Sequence, residues 1–130
     1  QYRSPYPVTT RLSLVDLQDV AEAAALVLTQ PGHEMATYEI AGTGPLSQVE
    51  VAASLAAGLG RPVEAVAEPV AAWEQRVRAG GLDDERIGTL RQMFEYYTRH
   101  GLAGNPNVLS WLLGRAPTTL PDFVARMAAR

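Results

Sequence analysis

Apolar residues recur at helical spacing over most of this chain and alternate with polar ones in only three short stretches. Arg11-Leu12-Ser13-Leu14-Val15 alternates and predicts a strand, after a Pro-punctuated stretch, Gln1 to Thr10, that reads as a loop. Asp16 then caps a helix whose apolar positions are Leu17, Val20, Ala21, Ala24, Val27 and Leu28, one face that is expected to turn inward until Pro31-Gly32 ends the helix. Ala36 to Ala41 predicts a second strand and Gly42-Thr43-Gly44-Pro45 a turn. Ser47-Gln48-Val49-Glu50 is a capping box that opens a helix to about Leu59, with Gly60 as its left-handed stop. Pro62 to Ala67 predicts a third strand. This first half is strand–helix–strand–helix–strand, an α/β pattern with right-handed crossovers.

The second half is helical throughout. Pro69 suits the first position of a helix with Val70, Trp73 and Val77 on one face, stopped by Gly80-Gly81. Asp83 or Asp84 starts a longer helix carrying Ile87, Leu90, Phe94 and Tyr97, which Gly101 and Gly104 break. Asn105-Pro106 is a cap followed by proline and opens a short helix to Gly114. Thr119-x-x-Asp122 caps a last helix with Phe123, Val124 and Met127. Composition agrees with a packed α/β chain: 47% of the 130 residues are hydrophobic and 19% charged.

Charge and absences narrow the function classes. A net charge of −3 argues against nucleic acid or an anionic membrane surface as partner. No apolar run is long enough to span a bilayer and no signal peptide is present, so cytoplasmic residence is the expectation. There is no cysteine, which excludes thiolate nucleophiles and Cys-based metal sites. All 11 basic side chains are arginine, which excludes a phosphate-loop lysine, a Schiff-base lysine and a Tyr-x-x-x-Lys pair. The first residue is Gln1, not methionine, which suggests a fragment or a processed product.

Candidate chemistry is sparse. Gly42-x-Gly44, between a strand and a helix with Glu64 about twenty residues on, has the outline of a dinucleotide turn. However, the third glycine position is Ser47, and Pro45 removes an amide that phosphate would need, so a turn before a capped helix is the better reading. Asp16 and Asp19, three apart at a helix start, read as cap and dipole partner rather than as an acid–base pair. His33 and His100 have no carboxylates at ligand spacing, so no metal site is expected. Tyr96-x-x-x-His100 has histidine where a catalytic pair needs lysine. No nucleophile–His–acid set is present, so no catalytic residue is assigned.

Several segments taken in order resemble the NmrA-like proteins, extended-type atypical short-chain dehydrogenases/reductases that bind NAD(P). They are Leu14-Val15-Asp16-Leu17-Gln18-Asp19-Val20-Ala21, Tyr38-Glu39-Ile40-Ala41-Gly42, Gly60-Arg61-Pro62-Val63, Met93-Phe94-Glu95-Tyr96-Tyr97, Gly104-Asn105-Pro106-Asn107-Val108 and Leu113-Gly114-Arg115-Ala116-Pro117-Thr118-Thr119. The resemblance implies the C-terminal fragment of a Rossmann-type α/β protein: about three short strands with crossover helices, then an all-helical segment. Residues 1–46 would be late strands and a helix of an incomplete Rossmann sheet, and residues 47–130 a small, mainly helical substrate-side domain. It further implies a chain that holds no cofactor itself, with NAD(P) bound in the full-length protein by an N-terminal Rossmann portion. The full-length protein would be an oxidoreductase, an epimerase-like enzyme or a redox sensor acting on a small-molecule ligand. Trp73, Tyr96, His100 and Asn107 are the substrate-binding candidates on the helices that would line its cleft. The alternative is a stand-alone ligand-binding or interaction module, for which orphaned strand edges would favour a homodimer.

Overall fold

The computed structural model describes residues 1–129. It contains β1 (Tyr2–Ser4), β2 (Arg11–Leu12), α1 (Leu17–Thr29), β3 (Leu46–Ser47), α2 (Gln48–Leu59), β4 (Ala65–Ala67), α3 (Val70–Ala79), α4 (Asp84–His100), α5 (Pro106–Leu113) and α6 (Leu120–Ala128). The class is α/β, with six helices and short strands. No described helix is long and apolar enough to cross a membrane.

Helix starts follow the local chemistry. Asp16, Ser47, Asp83, Asn105 and Thr119 each accept a hydrogen bond from an amide of the first turn they precede, and Ser47 with Glu50 closes the full capping box. Pro69 is itself the cap residue of α3, one position earlier than expected, and makes no side-chain cap bond.

The strands depart from the sequence pattern. The described strands form two two-stranded sheets, not one. β1 lies in the stretch expected to be loop and pairs in parallel with β4, Tyr2 opposite Ala65, so only the end of the Pro62–Ala67 segment is strand. Of Arg11–Val15 only the first two residues are strand, paired antiparallel with β3. The Ala36–Ala41 segment is neither helix nor strand and pairs with no other strand among the described residues. A strand exists only where a neighbouring backbone supplies the ladder, and alternation along one segment cannot supply that neighbour.

Two packed regions result. Trp73, Ile87 and Phe94 form a core between α3 and α4, with Tyr6, Leu90 and Tyr97 packed against it. Elsewhere Ala23, Val51, Ala52, Leu109 and Val124 are buried where α1 meets α5 and α2 meets α6. Gly58 is the close-approach point of the second pair: a Cβ there would run into the Val124 side chain. Gln48, buried at the start of α2, gathers the N-terminal stretch. Its amide donates to Val8 O at 2.9 Å, its side chain donates to Thr10 O at 3.0 Å, and the Tyr2 hydroxyl donates to its Oε1 at 2.9 Å.

Helix α1 is rotated from the expected face, of which only Val20 and Val27 are partly buried. Leu17 and Leu28 are 79% and 84% exposed, and Ala21 and Ala24 are exposed with them. The buried positions are Asp19 and Ala23. Alanines surround this helix, so its pattern selects a face poorly, and polar partners elsewhere in the chain decide. Asp19 accepts from the Thr118 amide at 2.6 Å, from the Thr118 hydroxyl at 3.0 Å and from Arg115 Nη2 at 2.9 Å. Three residues earlier Arg126 Nη2 donates to Asp16 Oδ2 at 2.5 Å. Both aspartates are thus more than cap and dipole partner: they clasp α1 to α6 and the loop before it.

Burial raises the Asp19 pKa, but the Thr118 amide and the Arg115 guanidinium lower it by more, so the carboxyl sits below the ordinary aspartate value. The folded state therefore favours the charged form. That contribution is complete above about pH 4, the range of an unfolded aspartate, and is lost as pH falls through the lower folded value. Asp19→Asn is expected to cost about 2 kcal/mol at neutral pH by leaving charge-assisted bonds unmade. It should also flatten the fall in stability below about pH 4, read by urea denaturation across a pH series.

Candidate functional site

The C-terminus of α4 meets the N-terminal stretch at a cleft of about 510 Å³, whose walls include Thr9, Arg11, Pro45, Tyr97, Thr98 and His100. Its back is built from backbone bonds: Leu102 N donates to Arg11 O at 3.1 Å and Ser13 N to Leu102 O at 2.7 Å. The corner depends on Gly101, at φ 65° and ψ −163°. This is a region that side-chain-bearing residues avoid. A Cβ there would stand 2.7 Å from Arg11 O.

One wall rests on an aromatic column. Trp73 packs edge-on to Phe94 at 4.8 Å, Phe94 lies 5.8 Å from Tyr6, and Tyr6 meets Tyr97 edge-on at 5.9 Å. The rigid end of the column, Tyr97, faces the cleft, while Trp73 is at the buried end inside the α3–α4 core. On the rim the His100 ring lies against Tyr96, centroids 4.8 Å apart, and Tyr96 is half exposed.

The polar groups differ in availability. The Thr98 hydroxyl is spent on Phe94 O at 2.8 Å. Arg11 donates to Pro45 O at 2.7 Å and lies 3.0 Å from Glu50 Oε2. Glu50 is held below the ordinary carboxylate range first by the Ser47 hydroxyl and amide, then by Arg11. Arg11 thus arrives in the cleft largely neutralised. The arrangement is an open cleft of mixed character, with Pro7, Pro45, Tyr97 and Leu102 among its apolar lining and Thr9, Thr10, Arg11 and His100 among its polar lining.

Of the four candidates from sequence, the structure puts His100 on this cleft, with Tyr96 against its ring but outside the lining. It places Trp73 in the core behind the cleft and Asn107 on the exposed first turn of α5, away from these walls. Thr9, Arg11 and Pro45 were not singled out in the sequence, because only the folding of the chain onto α4 puts them there. His33, Tyr38 and Trp111 form another unforeseen cluster: His33 Nδ1 and the Tyr38 hydroxyl are 2.7 Å apart, and Tyr38 lies 6.0 Å from Trp111. A smaller cavity of about 190 Å³ lies between Leu14, Val15, Leu120 and Phe123. Its polar neighbours are already engaged, Thr43 with the Leu14 amide and Asp16 with Arg126, so it offers apolar walls alone.

The glycine turn is a cap and not a phosphate cradle. Gly42 N and Thr43 N both donate to Leu14 O, at 2.8 and 2.9 Å, and the Glu50 carboxylate covers the start of α2 where an anion would have to sit.

The chain is 32% identical over 119 residues to the NAD(P)H azoreductase of Xenophilus azovorans, a match covering 92% of this chain and 42% of that protein. It is 30% identical over 109 residues to quinone oxidoreductase 2 of Escherichia coli, covering 84% and 38%. The structure of the latter complexed with NADPH superposes with a TM-score of 0.80 at 26% identity, over 97% of this chain and 44% of that one. The chain is homologous to the C-terminal part of NmrA-like NAD(P)-dependent reductases. A triphenylmethane reductase from Citrobacter, at 20% identity and a TM-score of 0.76 over 97% of this chain and 44% of that one, shares the fold. No protein-family model matches the chain. It spans about two-fifths of the length of the relatives it matches. These relationships favour the reductase-part reading over a stand-alone homodimeric module.

The geometry of the cleft corner predicts opposite responses at two glycines. Gly101→Ala forces a Cβ into Arg11 O at positive φ and should cost at least about 2 kcal/mol. Gly88→Ala, inside α4 with open space around it, should stabilise by about 0.5–1 kcal/mol. Equilibrium denaturation of the two variants checks both.

Proposed function

We propose that this chain forms the substrate side of an NAD(P)H-dependent reductase of planar, conjugated acceptors such as azo compounds and quinones. The dinucleotide is held by a Rossmann portion outside this chain. The carrying observation is the cleft at the end of α4, lined by Tyr97, His100 and Thr9, with Tyr96 packed against His100. It occurs in a chain related to an azoreductase and to a quinone reductase. The occupied amides at Gly42 and Thr43 give a dinucleotide no hold here, so no step of the reaction runs through a cofactor bound by these residues.

The work of this chain is binding and orientation. Tyr97, backed by Tyr6 and Phe94, presents a fixed ring face or edge to a flat substrate, and the apolar walls exclude water from one side. His100, steered by Tyr96, offers a ring nitrogen toward a carbonyl or azo nitrogen at the rim. In this reading residues 1–46 carry the sheet-side elements and residues 47–130 the mainly helical wall. The working protein is the two portions together, in the cytoplasm.

Two measurements test this. NADPH titrated into the 130-residue chain should give no saturable signal, and micromolar affinity would contradict the division of labour. A naphthoquinone should quench the aromatic fluorescence saturably, with His100→Ala weakening its affinity by about tenfold and Asn107→Ala leaving it unchanged. Equal affinities for His100→Ala and the parent chain would remove His100 from the site, and no quinone binding at all would remove the reading. Binding of oxidised and reduced nucleotide without turnover, in a protein joined to its Rossmann portion, would favour a redox sensor over a reductase.

A further inference from the structure

The fixed positive charge on the cleft is paired before any ligand arrives, and the pairing is built into the fold. Among the described lining residues Arg11 is the one side chain that is always charged, and none is a carboxylate. The antiparallel pairing of β2 with β3 sets Arg11 opposite Ser47, the cap residue of α2. Glu50, the third residue of that helix, reaches back to the cap. Its Oε2 accepts from the Ser47 amide and from the Ser47 hydroxyl, both at 2.7 Å. The same oxygen lies 3.0 Å from Arg11 Nη1, and Oε1 accepts from Arg11 Nη2 at 3.4 Å. Arg11 Nη2 also donates to Pro45 O at 2.7 Å.

An ion pair whose side chains are both about half exposed is ordinarily weak, because two long side chains must be immobilised to make it. Here the cap already fixes the carboxylate and Pro45 O anchors the guanidinium, so the pair forms at little further entropic cost. The cap does not need the charge, since glutamine closes the same box. Beyond complementing the dipole of α2, the charge of Glu50 has Arg11 as its partner. The Ser47 bonds hold the Glu50 carboxyl below the ordinary carboxylate range and so keep it ionised.

We propose that Glu50, acting through Arg11, sets the charge class of ligand the cleft accepts: uncharged planar acceptors over those bearing a sulfonate or carboxylate. The proposal rests on the substrate-side reading above and names the charge class of that same site. Glu50 does not line the cleft, so it is a positioning residue. It holds the guanidinium toward Pro45 and cancels its field. An anionic substituent then meets a neutral pair on a chain of net charge −3, and must break bonds already made by Arg11 to gain its charge.

The test compares a naphthoquinone with its sulfonated counterpart, by quenching of the aromatic fluorescence of the whole chain at low salt. The parent should bind the sulfonate no more tightly than the neutral quinone. Glu50→Gln should shift the ratio of the two dissociation constants about fivefold toward the sulfonate, the effect of one uncovered charge about 4 Å away in a water-like medium. Arg11→Gln leaves the Glu50 charge uncovered and should shift the ratio by a similar factor in the other direction. The double variant should return it close to the parent value, and roughly 0.5 M salt should shrink both single-variant shifts. Lost packing alone would weaken both ligands together and could not give shifts of opposite sign. The proposal is overturned if the parent already prefers the sulfonate by about tenfold, or if the ratio stays put or moves the same way in both single variants. Should Glu50→Gln fail to fold, the sign of the Arg11→Gln shift decides alone. A parent chain that binds no naphthoquinone sinks the substrate-side reading and this proposal with it, whereas binding with an unmoved ratio sinks only the role of Glu50.

Discussion

Asp19 is a carboxylate removed from water at a junction between distant parts of the chain, and the arrangement of the molecule follows from satisfying it. A buried carboxylate with unmade bonds is costly, so the turn of α1 that carries it must face the residues that donate to it, Thr118 and Arg115. That requirement orients α1, fixes the entry to α6 through Thr118 and Thr119, and directs the leucines of α1 outward. Asp16 repeats the tie one turn away through Arg126, so that α1 and α6 are held at two points. Apolar burial on α1 would by itself have turned Leu17 and Leu28 inward.

The cleft belongs to the other end of the molecule and depends on a different constraint. There the aromatic column from Trp73 to Tyr97 gives α4 a rigid seat, and Gly101 lets the chain turn sharply enough for Leu102 to bond Arg11 and deliver Ser13 to its partner. The positions of Thr9, Arg11 and Pro45 are consequences of that turn and of Gln48, which gathers the preceding stretch against α2. The division is physically sensible. The cleft proposed for a small molecule is braced by packed rings, while the exposed leucines lie on α1 at the other end.

Helices and their limits were legible in the sequence because their determinants are local. The oxygens of Asp16, Ser47, Asp83, Asn105 and Thr119 meet amides only two or three residues away, and Gly60 and Gly114 stop α2 and α5 in left-handed conformations. His100 and Tyr96 were separate candidates, and their contact follows because residues four apart on a helix share a face. The ordered set of short motifs gave the kinship, and the comparisons agree with it.

Everything that depended on a second segment was decided by tertiary structure. Alternation marked Arg11–Val15 and Ala36–Ala41 as strands, but pairing needs a neighbour, and only Arg11–Leu12 found one, in Leu46–Ser47. Tyr2–Ser4 carried no strand signal of its own and became one through Ala65–Ala67. Trp73 sits on a helix face that suits either a core or a cleft, and contact with Phe94 and Ile87 made it core. The face of α1 was set by an arginine and a threonine about a hundred residues away in sequence, a separation no periodicity can register. Local chemistry determined where each helix begins and ends, and long-range burial of charge and rings determined which side of each helix meets the rest of the protein.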